Sequence, residues 1–166
     1  MEPIMSLSAA LEDDFFSAER LATADLKNAD LTGCDLSAAD LSGRDLSGAR
    51  LFKANLKNAN LQDANLEGAE LAGADLEGAN LEGANARRAG FGLANLKGAN
   101  LFNADLREAS LTQANLHGAN LHCVNFAHAR LREADLSNAD LSEANLSQAD
   151  LSLSNVTGAN FSNADL

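Results

Sequence analysis

The sequence predicts an all-β solenoid, and three features point to that class. An apolar residue recurs at every fifth position from Leu21 to Leu166 without insertion or deletion. The residue two places before it is nearly always Ala and the one just before is usually Asp or Asn, as in Ala54-Asn55-Leu56-Lys57-Asn58 and Ala59-Asn60-Leu61-Gln62-Asp63. Aromatic residues make up only 4% of the 166, with no Trp and no Tyr, which suits a thin rod packed with Leu and Ala better than a globule.

The period decides the architecture. A helix at 3.6 residues per turn would smear the central leucines around its circumference, and a flat strand at 2.0 would throw them to opposite faces. Only a chain that turns once per repeat sends every centre to one axis, and short repeats stacked on themselves make a solenoid. The period alone permits a three-sided or a four-sided coil. A four-sided coil would stack residues twenty apart at the sheet spacing of roughly 4.8 Å.

The tandem motif resembles that of the pentapeptide repeat family, A(D/N)LXX, from Leu21 to the last residue. The resemblance implies a right-handed quadrilateral β-helix with four repeats per coil. Residues 1–20 are then an N-terminal cap, and 21–166 a β-helix of about seven coils, roughly 35 Å long.

Sorting by twenties supports four repeats per coil. One ladder carries Leu31, Leu51, Leu71, Phe91, Leu111, Leu131 and Leu151, and another Leu36, Leu56, Leu76, Leu96, Leu116, Leu136 and Val156. The undersized centre Ala86 is followed by the oversized Phe91, the volume trade that a close-packed axis needs. The Ala positions must be small because the backbone turns tightly there. Cys34, Val124 and Ser154 are tolerable substitutes. Arg44 is expected to leave the axis through a local distortion, or to sit near the open end with its charge in water.

Taken in order, residues 1–20 do not follow the motif. Pro3 with Ser6 or Ser8 reads as a helix start, and Leu7, Leu11 and Phe15 form a stripe at spacing four. A short capping helix is expected, with Phe15 or Phe16 over the Leu21 layer. Asp25, Asp30, Asp35, Asp40 and Asp45 then precede the centres, the middle mostly uses Asn, and acid returns at Asp135, Asp140, Asp150 and Asp165. Stacked carboxylates repel, whereas stacked amides can hydrogen-bond along the axis, so the central Asn ladder is read as structural.

One face breaks this rule, reading Asp30, Arg50, Glu70, Gly90, Ser110, Arg130 and Asp150 before its centres. Arg50 under Glu70 and Arg130 under Asp150 read as opposite-charge pairs. The face also carries outward Phe52, Leu93 and Leu153, with Lys53 and Arg132 near them, and it is the expected contact surface. Phe102, on a neighbouring face, is a second exposed aromatic. The ladder Lys57, Glu77, Lys97 reads as a solvated face, and Arg87, Arg88 and Arg107 between Glu67 and Glu108 as local charge balance. An open end with Phe161 and Leu166 near it favours end-to-end pairing into a homodimer.

The net charge of −12 argues against direct nucleic-acid binding, which needs clustered Lys and Arg. No apolar run approaches a membrane span, and Met1-Glu2-Pro3-Ile4 lacks signal-peptide character, so a cytoplasmic protein is expected. Cys34 and Cys123 lie several coils apart, too far for a bridge. No cofactor, metal or catalytic residue is expected. His117, His122 and His128 fall on successive faces, which leaves His122 and Cys123 as two ligands at most. No Ser has a His base in reach, and a leucine-filled axis leaves no pocket.

The expected function is a non-enzymatic rigid scaffold that binds a protein partner on a preformed face. The resemblance implies an alternative, since some pentapeptide repeat proteins imitate B-form DNA and bind DNA gyrase or topoisomerase IV to protect it from quinolones. The charge and rod shape agree with that alternative. Against it, such members commonly carry loops between coils, whereas this register is unbroken and its acid is gathered at the ends.

Overall fold

The structure, a computed structural model, describes residues 23–166. The expected capping helix over 1–20 and the Leu21 layer lie outside the described residues. Every backbone bridge among the described residues is parallel and joins positions twenty apart, such as Asn60↔Asn80 and Asn80↔Asn100. Each turn of the coil therefore holds four five-residue repeats, and each side contributes a single bridge per level rather than a long strand.

One repeat shows why the motif folds this way. The Ala54 N–H donates to Leu51 O at 3.0 Å, closing the corner. The Asn55 N–H donates to Cys34 O in the coil before at 2.9 Å. The N–H groups of Leu56 and Asn58 donate to Asp75 O and Glu77 O in the coil after, at 2.7 and 3.0 Å. The Lys57 N–H, which has no backbone partner, donates to Asn55 Oδ1 at 3.2 Å. All five donors are met, as a buried backbone requires. The Asx residue is thus needed to satisfy the N–H two places on.

The corner demands a left-handed residue two places after each centre. Lys53, Asn58, Asp63, Arg88 and Leu93 there have φ of 55 to 61°, and glycines fill many of the other corners. No β-branched residue occupies that position between Asn28 and Asn163, in keeping with the cost of positive φ for such side chains.

The central leucines and their alanines form one buried column. Leu31, Leu51, Leu71, Phe91, Leu111 and Leu131 are fully buried, whereas Leu151 in the last coil is half-buried. Ala86 and Phe91 are both buried, and so is a second large centre, Phe126. Arg44 needs no distortion: its N–H bonds Leu41 O and its carbonyl accepts from Asn65 in the regular pattern. Its guanidinium instead reaches the Ala24 carbonyl, twenty residues earlier. Cys34, at one of the small Ala positions, is half-buried, and burial followed by the Asp30 charge pushes its thiol pKa up. Among the described residues no helix is long and apolar enough to cross a membrane.

Candidate functional site

On three sides of the coil the Asx residues stack twenty apart, and side-chain bonds join many of them in runs. Asn100 Nδ2 donates to Asn80 Oδ1 at 2.9 Å, and Asn115 Nδ2 to Asn95 Oδ1 at 3.1 Å. Near the first coils Asn55 and Asn60 donate to Asp35 and Asp40 at 2.8 and 3.0 Å. These amide ladders bear out their structural reading. Lys57 reaches both Asp75 and Glu77 at 3.3 Å, Lys97 reaches Glu77 at 3.9 Å, Arg88 reaches Glu108 at 3.0 Å and Arg107 pairs with Asp105, so the cations of both groups have acidic partners beside them.

The fourth side differs in its backbone. Thr32 and Ser152 still donate to Asp30 and Asp150. Between them Arg50, Glu70, Gly90, Ser110 and Arg130 replace the Asx residue. The N–H groups of Phe52, Ala72, Gly92, Thr112 and Arg132 consequently have no acceptor among the described residues. They form a column of open donors, one per coil, repeating at about the sheet spacing of 4.8 Å.

The side chains flanking this column are exposed. Arg50 pairs with Asp30 at 3.3 Å and reaches Glu70 at 3.8 Å. Lys53 Nζ lies 5.1 Å from the Phe52 ring centroid, a cation–π contact. Leu93 is 67% and Leu153 72% exposed, and Phe52 44%. Arg130 shares a backbone bridge with Asp150, but among the described residues no ion pair joins their side chains, contrary to expectation. The neighbouring Arg132 is the cation that lowers the Asp150 pKa, after the Ser152 side-chain and backbone bonds, while its own Nε pairs with Glu133 at 3.2 Å. Over the five modified coils the face holds Arg50, Lys53, Arg130 and Arg132 against Glu70 and Glu133, an excess of cations in an acidic chain. Phe161 is half-buried and Leu166 exposed in the last coil.

A second cluster was only half legible from spacing. Spacing along the chain offers His122 and Cys123 as a pair, and coil stacking sets Glu143 directly beyond Cys123. The three ligand atoms lie within 4.8 Å of one another. His117 makes a similar bond to Ser137 but has Gly118 and Asn138 beside it, and neither His117 nor His128 joins the cluster. Phe102, placed outward as expected, stacks on His122 with centroids 5.5 Å apart. Burial, then the Glu143 charge, pushes the Cys123 thiol pKa up.

Comparisons with known proteins agree with this geometry. The structure of HetL, a pentapeptide repeat protein involved in heterocyst differentiation regulation from the cyanobacterium Nostoc sp. strain PCC 7120, is 41% identical, with a TM-score of 0.52 over 86% of this chain and 70% of that one. Rfr23, a pentapeptide repeat protein from the cyanobacterium Cyanothece 51142, is 25% identical, with a TM-score of 0.55 over 82% and 90%. Trypsin-treated QnrB1, a plasmid-mediated fluoroquinolone resistance protein, is 25% identical, with a TM-score of 0.57 over 82% and 72%. A search of curated protein sequences returned no match. The profile for pentapeptide repeats matches in 8 copies, over residues 20–58, 49–88, 94–132 and 129–166. With its repeats matched over nearly the whole length and its bridges twenty residues apart, the chain belongs to the pentapeptide repeat family.

Proposed function

We propose that the chain is a non-enzymatic scaffold that docks another protein on its Asx-free face. The partner segment is acidic and rich in carbonyl and carboxylate acceptors. The observation that carries this reading is the column of open N–H donors from Phe52 to Arg132, flanked by exposed apolar and cationic side chains. Donors buried in an interface without acceptors would each cost about 1–3 kcal/mol, so the partner must supply them. A preformed face loses little conformational entropy on docking.

Affinity capture from a cell lysate with the parent chain and with Phe52→Asp/Leu93→Asp tests the face. The expected result is a specific protein, retained by the parent, lost by the double variant and weakened by salt. Unchanged capture by the double variant removes this face from the reading.

A second reading is an acidic DNA mimic that binds DNA gyrase or topoisomerase IV. The net charge of −12 and the likeness in fold to QnrB1 favour it. A supercoiling assay with and without quinolone decides it, and neither protection nor inhibition at micromolar protein would eliminate it. Pairing of two copies through the end carrying Phe161 and Leu166 belongs to the scaffold reading, and sedimentation with Phe161→Asp tests it.

A further inference from the structure

We propose that His122 Nε2, Cys123 Sγ and the Glu143 carboxylate form a binding site for one zinc ion. Nothing in the docking face requires this site, and it stands on separate observations.

The first is spacing. Sγ lies 3.4 Å from His122 Nε2 and 3.6 Å from Glu143 Oε2. Ligand atoms at ordinary zinc distances on adjacent corners of a tetrahedron lie about 3.5 Å apart. Three ligands leave one corner for water or a partner's side chain, and nitrogen, thiolate and carboxylate are all zinc donors.

The second is the support behind His122. Its Nδ1 lies 3.0 Å from the Ser142 carbonyl oxygen and 2.8 Å from Ser142 Oγ. Ser142 Oγ donates its own proton to Asp140 Oδ1 at 2.7 Å. Both Ser142 oxygens therefore act as acceptors, which places the imidazole proton on Nδ1 and leaves the Nε2 lone pair towards Cys123. A metal-bound His is commonly oriented through its other nitrogen in this way. Phe102 stacked on the ring, at an interplanar angle of 15°, holds its plane.

The third is register. Cys123 and Glu143 both occupy left-handed corners, at φ of 58 and 59°, one coil apart. The rigid stack supplies the convergence that spacing along the chain does not. The Cys123 thiol is a donor to Glu143, and an ion bound between these atoms takes the place of that proton, which leaves to solvent.

The test uses the full chain, reduced and stripped of metal by a chelator. Titration with zinc chloride is expected to give one ion per chain, and cobalt(II) a thiolate-to-metal charge-transfer band. Cys123→Ser removes the band, and Glu143→Gln weakens zinc by about tenfold or more. Cys34→Ala and His117→Asn leave both readouts as in the parent. In the unmutated chain zinc slows alkylation of Cys123 by about tenfold or more while the rate at Cys34 stays the same, a readout that does not depend on any variant's folding. No binding by the parent, equal zinc affinity in Cys123→Ser and Glu143→Gln, a band that follows Cys34, or equal alkylation rates with and without zinc would each overturn the site.

Discussion

Asn120 Nδ2 lies 2.8 Å from Asn100 Oδ1, the same oxygen that accepts the Phe102 N–H at 3.2 Å. One side-chain oxygen thus closes its own turn and joins two coils. The shared acceptor explains why the position before each centre is so restricted: Asn supplies both an oxygen for its own turn and an amide for the coil before it.

Truncation separates this duty from mere surface exposure. Asn100→Ala deletes the cap of Phe102, the donor to Asn80 and Glu82, and the acceptor for Asn120. It is expected to cost about 1–3 kcal/mol in urea denaturation. Ser110→Ala, at the equivalent place on the Asx-free face, caps no N–H and should stay within about 0.5 kcal/mol. Equal costs would mean that the Asx bonds contribute nothing beyond what any residue there supplies.

The left-handed corners give a second expectation. A Cβ at Gly98 meets nothing within 4 Å, yet its φ is +64°. Gly98→Val should therefore destabilise by about 1–2 kcal/mol through backbone strain alone. Thermal unfolding of Gly98→Val beside Gly98→Asn reads this, because Asn tolerates the left-handed region and should lose much less.

Much of this was legible beforehand because the repeat is a steric instruction. Leu at every fifth place and Ala two before it state the axis and the corner, and the step of twenty then fixes which side chains are neighbours. Arg44 was harder to read, because a long side chain at a small position can escape towards the coil end without disturbing the backbone, as it does by reaching the Ala24 carbonyl. The open donors on the Asx-free face were hidden because they are a consequence of missing side chains, visible only once every backbone N–H is assigned. The place of Glu143 beside Cys123 is not legible along the chain or within one coil, because it lies in the coil beyond.

Acid should loosen the coils richest in Asp. Asp35, Asp40 and Asp45 have pKa values lowered from 3.8, chiefly by bonds from the side chains and N–H groups of Ser37, Ser42 and Ser47. Asp135 and Asp140 are lowered in the same way by Ser137 and Ser142. A depressed folded-state pKa contributes stability that is fully present above the unfolded value and is lost as pH falls through the folded one. The melting temperature should accordingly hold from neutral pH to about 5 and fall below about 4. Asp35→Asn/Asp40→Asn/Asp45→Asn keeps the oxygen acceptors without the titration, so its acid loss should be smaller. An unchanged acid profile in that triple variant would place the effect elsewhere.

The axis offers the sharpest test of packing. Ala86 and Phe91 are consecutive centres, 1% and 0% exposed, and the small one precedes the large one. If the phenyl ring fills the space that Ala86 leaves, Ala86→Leu alone overpacks the column and should cost about 1–3 kcal/mol. Phe91→Leu alone leaves a void and should also destabilise. Combined, the two substitutions restore the ordinary Leu-Leu sequence found through most of the column, and the double variant should recover about 0.5–3 kcal/mol relative to the sum. Simple additivity in that cycle would mean that each centre packs against its own coil neighbours alone, and that the ring at 91 answers some other requirement of the column.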